Sequence, residues 1–397
     1  MFKPRTAELV LVTPDGRPVG SLPAIPIATP WWQEVGSVVR AARDYHGLDV
    51  VILRLLDTEL VDPHGGRVTY LAEVAEAVRA QPWTGVLDDH PRRQSFARPG
   101  GPAADLAWAR ARLAERGLRP TASPTQVRTW NLSSLWRVPV EGQTVWLKVV
   151  PPFFAHEGEL LALMGGERVP TVLGHDGGRM LLAEIVGEDL YAAGLPLLSD
   201  MVNLLVDLQR RWADRVRELL ALGLPDWRAP ALSAAIADVV DRMRDEISTE
   251  DRVTLAGFVR GLPSRFDAVA ACGLRDSLVH GDFHQDNFRG DGQALTLLDW
   301  GDSGVGHPLL DLPAFFERVP SDAIGAVRAH WLAQWSKAVP GSDPARASVL
   351  LAPVATARQA ATYTNFLDNI EPSEQRYHRA DPARCLIRTA ALVREND

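Results

Sequence analysis

The stretch LVHGDFHQDNFRGDGQALTLLDWGDSG, residues 278–304, sets His280, Asp282, His284, Asp286, Asn287, Asp299 and Asp302 among apolar residues of strand character. A carboxylate is costly to bury unless something pairs with it. Such a group therefore either decorates a solvated hairpin and its turns or surrounds a cation. Carboxylate and amide oxygens suit a hard divalent ion, and one of each leaves coordination places for phosphate oxygens and water. One chemistry such a site can serve is phosphoryl transfer, which asks for little covalent help and for much positioning and cancellation of charge. His, Asp and Asn at the fixed offsets of His280, Asp282 and Asn287 meet by chance at roughly 1 in 10^4 positions at ordinary residue usage.

These residues need a scaffold, and its elements are legible along the chain. AELVLV followed by TPDGRPVG predicts a strand and a turn, VVRAARDYHG a helix leading into the strand VVILRLL, and GGRVTYLAEV a further strand. Charge, proline and glycine gather in DDHPRRQSFARPGGPAAD, which predicts a small α+β accessory domain over residues 1–88 and a linker over 89–103. ADLAWARARLAERG reads as a helix and QVRTW, SLWRVPV and TVWLKVV as strands, the last stopped by Pro151 and Pro152. The helix HEGELLALM and the buried strand RMLLAEIVG follow, and beyond about Leu190 the pattern is helical apart from the polar stretch. The expectation is an α+β chain with a strand-rich lobe and connector over 104–186 and a helical lobe over 187–397.

Composition removes whole classes of function. The chain of 397 residues is 46% hydrophobic, ample for real cores. A net charge of -8 argues against nucleic acid as a partner, because phosphate contacts need a basic face. Cys272 and Cys385 form no CxxC pair, so neither a disulfide framework nor a structural zinc site is expected, in keeping with a reducing cytoplasm. No stretch approaches the roughly 20 apolar residues of a membrane span.

His280-Gly281-Asp282, then Asn287, then Asp299-Trp300-Gly301 follow the order and spacing of the protein-kinase signatures H-R-D-x-x-x-x-N and D-F-G. With HGD in place of HRD, HGDFHQDN and LLDWGDSGVGHPLLDL resemble the corresponding segments of the aminoglycoside phosphotransferase and choline kinase family, over about residues 120–380. The resemblance implies a two-lobed, protein-kinase-like fold. It also implies Asp282 as catalytic base, Asn287 and Asp299 as metal ligands, Asp311 as an anchor of the catalytic loop and His280 as its brace. On the nucleotide side it makes Lys148, at the end of TVWLKVV, the phosphate-binding lysine. Glu157 rather than Glu159 becomes its carboxylate partner, because Glu157, Leu161 and Met164 match the family's helix. No GxGxxG precedes Lys148, and NLSSLWRV, with Ser133 and Ser134, resembles the family's shorter phosphate loop. RMLLAEIVGEDL resembles the connector between lobes, where the carbonyl of Ala183 and the N–H of Ile185 are the adenine contacts expected by position. ATP and Mg²⁺ are the implied cofactors, with GTP left open as donor.

Several residues carry a structural reading beside the functional one. Asp311, before Leu312 and Pro313, suits a helix N-cap. Asp286 and Asp302 suit solvated turns, His284 and His307 satisfied loop histidines, and Trp130 and Trp136 a core. RAARDYHGL, residues 40–48, resembles part of a Nudix box in which Ala41 and Tyr45 replace two glutamates, so the accessory domain is expected to be Nudix-like at most in fold. The expected activity is phosphorylation of a hydroxyl on a small polar molecule. Aminoglycosides and amino sugars lead, since the chain is acidic and Asp368, Glu371 and Glu374 are carboxylates that could face a cationic acceptor, although a solvated helix end and loop is the slightly favoured reading of those three. Neutral sugars, choline-like amino alcohols and macrolides are the other acceptors. A nucleotide-binding pseudokinase is the competing class, and a protein kinase is disfavoured because no A-P-E segment follows DWG.

Overall fold

The computed structural model describes residues 4–59 and 65–396. Its contacts divide the chain into two compact units, the first made of Met1–Gly158, Thr171–Glu184 and Leu367–Arg379, the second of Glu159–Pro170, Ile185–Phe366 and Ala380–Asp397.

The first unit opens with β1 (Arg5–Val12), β2 (Pro18–Ile27), α1 (Gly36–His46), β3 (Val51–Thr58) and β4 (Gly66–Glu73). They form a sheet of order β2-β1-β4-β3, in which β1 and β4 run parallel and the outer pairs are antiparallel. Strand periodicity explains the apolar run of β1: Ala7, Leu9 and Leu11 face one core with Val38 and Ala42 of α1, while Val10 and Val12 face a second with Leu53 and Leu71. Residues 40–48 are the end of α1 and its left-handed turn at Gly47, with Ala41 buried and Tyr45 exposed.

A second sheet follows α2 (Gly101–Glu115). Its strands are β5 (Thr125–Trp130), β6 (Ser133–Val140), β7 (Gln143–Val149), β8 (Val172–Asp176) and β9 (Arg179–Ala183), with α3 (His156–Met164) between β7 and β8, and its antiparallel order is β5-β6-β7-β9-β8. Trp136, Val138, Val145, Leu147 and Leu181 bury one face against Ala109 and Leu113 of α2.

The expected linker over 89–103 is packed instead. Phe96 and Ala97 lie in the core of the second sheet, and the buried Arg93 forks onto Glu371. The two sheets are also joined directly: the amide of Gln126 on β5 accepts from the Ile52 N–H at 2.8 Å and donates to the Ile52 carbonyl at 2.7 Å. The strands expected to form an accessory domain and a separate lobe therefore share one compact unit.

The second unit is mainly helical. It contains β10 (Glu188–Asp189), α4 (Leu195–Trp212), α5 (Val216–Ala221), β11 (Asp226–Trp227), α6 (Ala229–Arg242), α7 (Thr249–Ala270), β12 (Ser277–Val279), β13 (Phe288–Gly290), β14 (Leu295–Leu297), β15 (Gly304–Gly306), α8 (Leu312–Phe316), α9 (Ile324–Ala338), most of α10 (Pro344–Asn369) and α12 (Asp381–Asn396). The end of α10 and α11 (Pro372–His378) belong to the first unit. Two small sheets sit among these helices, β10-β13-β14 and β11-β15-β12. Phe283, Phe288, Phe315 and Trp331 pack edge to face and stacked around them. Among the described residues no helix is long and apolar enough to cross a membrane.

Candidate active site

Within the first unit, β7 pairs with β6 and β9 in the middle of its sheet, and Lys148 stands opposite Leu135 and Met180. Its Nζ meets Glu157 Oε1 of α3 at 2.7 Å, while Glu159 is exposed, so Glu157 is the carboxylate that meets the lysine. Ser133 and Ser134 depart from expectation. Ser134 is fully buried and accepts the indole N–H of Trp136 at 3.0 Å, and Ser133, 9% exposed, accepts that of Trp130 at 2.9 Å. A hydroxyl enclosed under an indole is not presented to phosphate, so these two side chains hold tryptophans in the core. The turn before them is also tied down: the Asn131 N–H donates to Glu374 Oε2 at 2.7 Å, and the Glu371 N–H to Asn131 Oδ1 at 3.3 Å. Glu371 and Glu374 are thus buried structural ties, which corrects their reading as carboxylates offered to an acceptor. Burial pushes the Glu374 carboxyl up to about 8. Ala183 closes β9 and donates its N–H to the Thr171 carbonyl, and Ile185 begins the second unit just beyond it.

Within the second unit, the β13–β14 hairpin explains why Asn287 and Asp299 belong together. Phe288 pairs with Leu297 and the Leu298 N–H donates to the Asn287 carbonyl at 2.8 Å, so both residues sit at the open end of one hairpin. Asp299 adopts φ 60, a left-handed conformation in which non-glycine residues are uncommon and Asp is among the enriched ones. Asp282 lies close enough to Asp299 for the two charges to repel.

The loop that carries Asp282 is held from several sides. Asp311, fully buried, accepts the N–H groups of His280 at 3.0 Å and Gly281 at 2.7 Å, and Gln209 of α4 donates to the same carboxylate at 3.0 Å. Asp311 makes no side-chain cap bond to α8, so anchoring the loop is what its geometry does. Burial raises its carboxyl to about 6, against the lowering effect of those two backbone donors. Gly281 has φ 90, and a Cβ there would lie 2.0 Å from the Asp302 carbonyl oxygen, so only glycine fits.

His280 is buried against Trp300, 4.6 Å between ring centroids. Burial lowers its pKa to about 4, and the neutral ring with Nε2 protonated satisfies both neighbours: Nε2 donates to the Leu298 carbonyl at 2.9 Å and Nδ1 accepts from the Asp282 N–H at 3.3 Å.

Asp282 Oδ2 meets His284 Nε2 at 3.2 Å and Asn287 Nδ2 at 3.2 Å, and the same Asn287 nitrogen donates to the Asp282 carbonyl at 2.8 Å. The surrounding protein works to raise the Asp282 carboxyl, and the hydrogen bond from His284 outweighs it, holding the group below the usual carboxylate range. Because Asn287 donates through Nδ2, its Oδ1 is the atom of that side chain that could hold a hard cation. Among the described residues no group of three or more His, Cys, Asp and Glu side chains is placed to hold a metal ion.

Asp286 and, just beyond the stretch, His307 have structural partners. Asp286 bridges to Arg318, and His307 accepts the Leu309 N–H at 3.2 Å to start the turn before α8. The sequence reading took His284, which meets Asp282, for a satisfied loop histidine, and it missed Gln209, which holds Asp311, and Arg358, whose Nη2 donates to the Gly281 carbonyl at 2.8 Å. The signal was available for the last two, since both are polar residues at the buried phase of otherwise apolar helices.

Comparison with known proteins bears on the family and the fold. Residues 135–350, more than half of the 397, match the model of the family described as "Phosphotransferase enzyme family". No curated protein sequence matches. Among solved structures, a macrolide 2'-phosphotransferase type I is similar at 18% identity and a TM-score of 0.50, over 71% of this chain and 97% of that one. Choline kinase LicA from Streptococcus pneumoniae is similar at 13% and 0.50, over 72% and 98%, and an ethanolamine kinase of Plasmodium vivax at 10% and 0.50, over 69% and 84%. At these identities the likeness is one of fold, the two-lobed kinase-like fold read from the sequence.

Proposed function

Because the chain belongs to the phosphotransferase enzyme family, we propose that it transfers the terminal phosphoryl group of ATP to a hydroxyl of a small polar acceptor, with aminoglycosides and amino sugars the first class to try. The observation that carries this reading is Asp282, ionised and flanked by His284 and Asn287, on a loop whose backbone Asp311 holds on two successive N–H groups. In the step it serves, the acceptor hydroxyl gives its proton to the Asp282 carboxylate and its oxygen bonds to the terminal phosphorus. The bond from that phosphorus to the bridging oxygen breaks, and ADP leaves.

Asn287 Oδ1 and the Asp299 carboxylate would hold Mg²⁺, whose part is to neutralise phosphate charge. Their hard oxygen donors at one hairpin end support that assignment. Lys148, braced by Glu157, supports the reading from the nucleotide side, where the lysine would bind phosphate oxygens. Ala183 and Ile185 would receive adenine through backbone groups. A cationic acceptor is favoured by the net charge of -8, and choline and ethanolamine, named for two of the similar structures, are themselves small cations.

The test is ADP release with MgATP over aminoglycosides, amino sugars, neutral sugars, amino alcohols and macrolides, beside the Asp282→Asn protein. The expected result is at least one acceptor that stimulates release, with kcat reduced by about 10^2-fold or more in the variant while MgATP still binds. Equal turnover by Asp282→Asn would remove Asp282 from the reaction. MgATP binding without turnover on any acceptor would favour a nucleotide-binding pseudokinase.

A further inference from the structure

α10 is apolar for most of its length, and Arg358 interrupts it: Val354, Ala355, Thr356, Ala357 and Ala360 are all buried, and Arg358 itself is 1% exposed. Arginine does not shed its charge in a protein, so burial at this depth has to be offset by partners. The direct partner found is the Gly281 carbonyl, 2.8 Å from Nη2. The guanidinium carbon lies 5.9 Å from the Trp227 ring centroid, and Trp227 packs so closely on Gly304 that a Cβ there would lie 2.2 Å from it. The charge is further supported by the fields of Asp311, Asp302 and Asp282.

Gly281 is the one residue of the loop with a glycine's freedom, and the peptide joining it to Asp282 is the unit whose rotation would re-aim the carboxylate. That peptide is held at both ends: Arg358 takes its oxygen, and His280 Nδ1 accepts its N–H at 3.3 Å. The preceding peptides are fixed by Asp311. Without Arg358 the longer of the two restraints on the 281–282 peptide is left alone.

We propose that Arg358, which lies beyond the residues matched by the family model, is a positioning residue that fixes the Gly281–Asp282 peptide and so aims the Asp282 carboxylate. The inference deepens the function proposed above and rests on it for its kinetic consequence; the restraint on the peptide stands by itself. A misplacement of about 1 Å at a reacting group costs roughly 10^2-fold in rate, which sets the expected size of the effect.

The experiment compares Arg358→Ala, Arg358→Lys and Arg358→Gln with wild type in two readouts. In turnover, kcat per folded molecule should fall by about 10^2-fold in Arg358→Ala with KM for MgATP little changed, and recover in part in Arg358→Lys and on adding millimolar methylguanidinium to Arg358→Ala. A purely structural arginine would lower the folded fraction and leave kcat per folded molecule and its rescue unchanged. In hydrogen exchange, the Asp282 amide should exchange about tenfold faster in Arg358→Gln, with distant helices unaffected. Should Arg358→Ala not fold, the Lys and Gln variants carry both readouts. Wild-type inactivity on every acceptor sinks the proposed function alone. Unchanged Asp282 exchange in Arg358→Gln, or kcat within about twofold in Arg358→Lys and Arg358→Gln together, overturns the positioning role alone.

Discussion

Gly281→Ala should be among the most damaging single-methyl additions in the second unit, and the geometry says by how much. A Cβ at 281 would stand 2.0 Å from the Asp302 carbonyl oxygen and 2.7 Å from its carbon, so one backbone must retreat. The Asp302 side cannot yield easily, because it lies in a turn closed by the Ser303 N–H to Trp300 carbonyl bond and followed by Gly304, wedged against Trp227. The loop must move instead, and it is held by the 2.7 Å bond to Asp311 and the 2.8 Å bond from Arg358. Losing a hydrogen bond to a charged group costs about 1.5–3 kcal/mol, and an alanine at φ 90 adds about 1–3 kcal/mol. The sum is about 4 kcal/mol or more, against a typical total of about 5–15 kcal/mol. In a unit of this size that is a fall in Tm of roughly 10 °C. Gly292→Ala is the control. Gly292 has φ 82 with nothing within 4 Å of its would-be Cβ, so it bears the conformational cost without the collision. Calorimetry of both variants should separate them by the two hydrogen bonds. If Gly281→Ala loses no more than Gly292→Ala, the close approach to Asp302 and the role given to the Asp311 and Arg358 bonds are both wrong.

Glu371→Gln should cost about 3–5 kcal/mol by taking from Arg93 its one buried carboxylate and leaving it only the exposed Asp88 and Asp89, while the double change of Arg93→Met with Glu371→Leu should cost far less; denaturant unfolding of the full cycle decides it. Glu374, raised by burial to about 8 from an ordinary 4.5, takes up a proton on folding between those values, so stability should fall as pH rises through that window. Glu374→Gln should flatten Tm against pH between about 5 and 9, and a slope identical to wild type would show that Glu374 is ionised in the folded chain. Asp299→Asn tolerates the left-handed backbone but loses the charge, so nucleotide binding should need far more magnesium; an unaltered magnesium requirement would move the metal elsewhere.

The loop residues were legible because polar side chains at fixed offsets inside apolar strands have few local explanations. His280, Asp282, Asn287 and Asp299 stood out on that ground, and Lys148 stood out as the charge ending an apolar strand. What stayed hidden was partnership across the chain. The run around Arg93 reads as a charged, proline-rich linker until Glu371 arrives from the far end of the sequence, and Glu371 and Glu374 read as a solvated acidic loop until Arg93 and Asn131 take them. Periodicity offered more than was taken from it. On β6, Ser134, Trp136, Val138 and Val140 alternate on one buried face, which sets Ser134 beside a tryptophan in a core and not before a phosphate. On α4, Gln209 shares the buried stripe with Leu205, Leu208 and Trp212, and on α10 Arg358 stands among Val354, Ala355 and Ala357. A hydrogen-bonding side chain at the buried phase of an apolar element must find its partner within the protein. Arg358 finds that partner in the loop that carries Asp282, and Gln209 finds it in Asp311, the carboxylate that anchors the loop. Two polar residues outside every recognisable motif therefore determine where the motif's aspartate points, and a reading confined to the motif accounts for the identity of Asp282 without accounting for its aim.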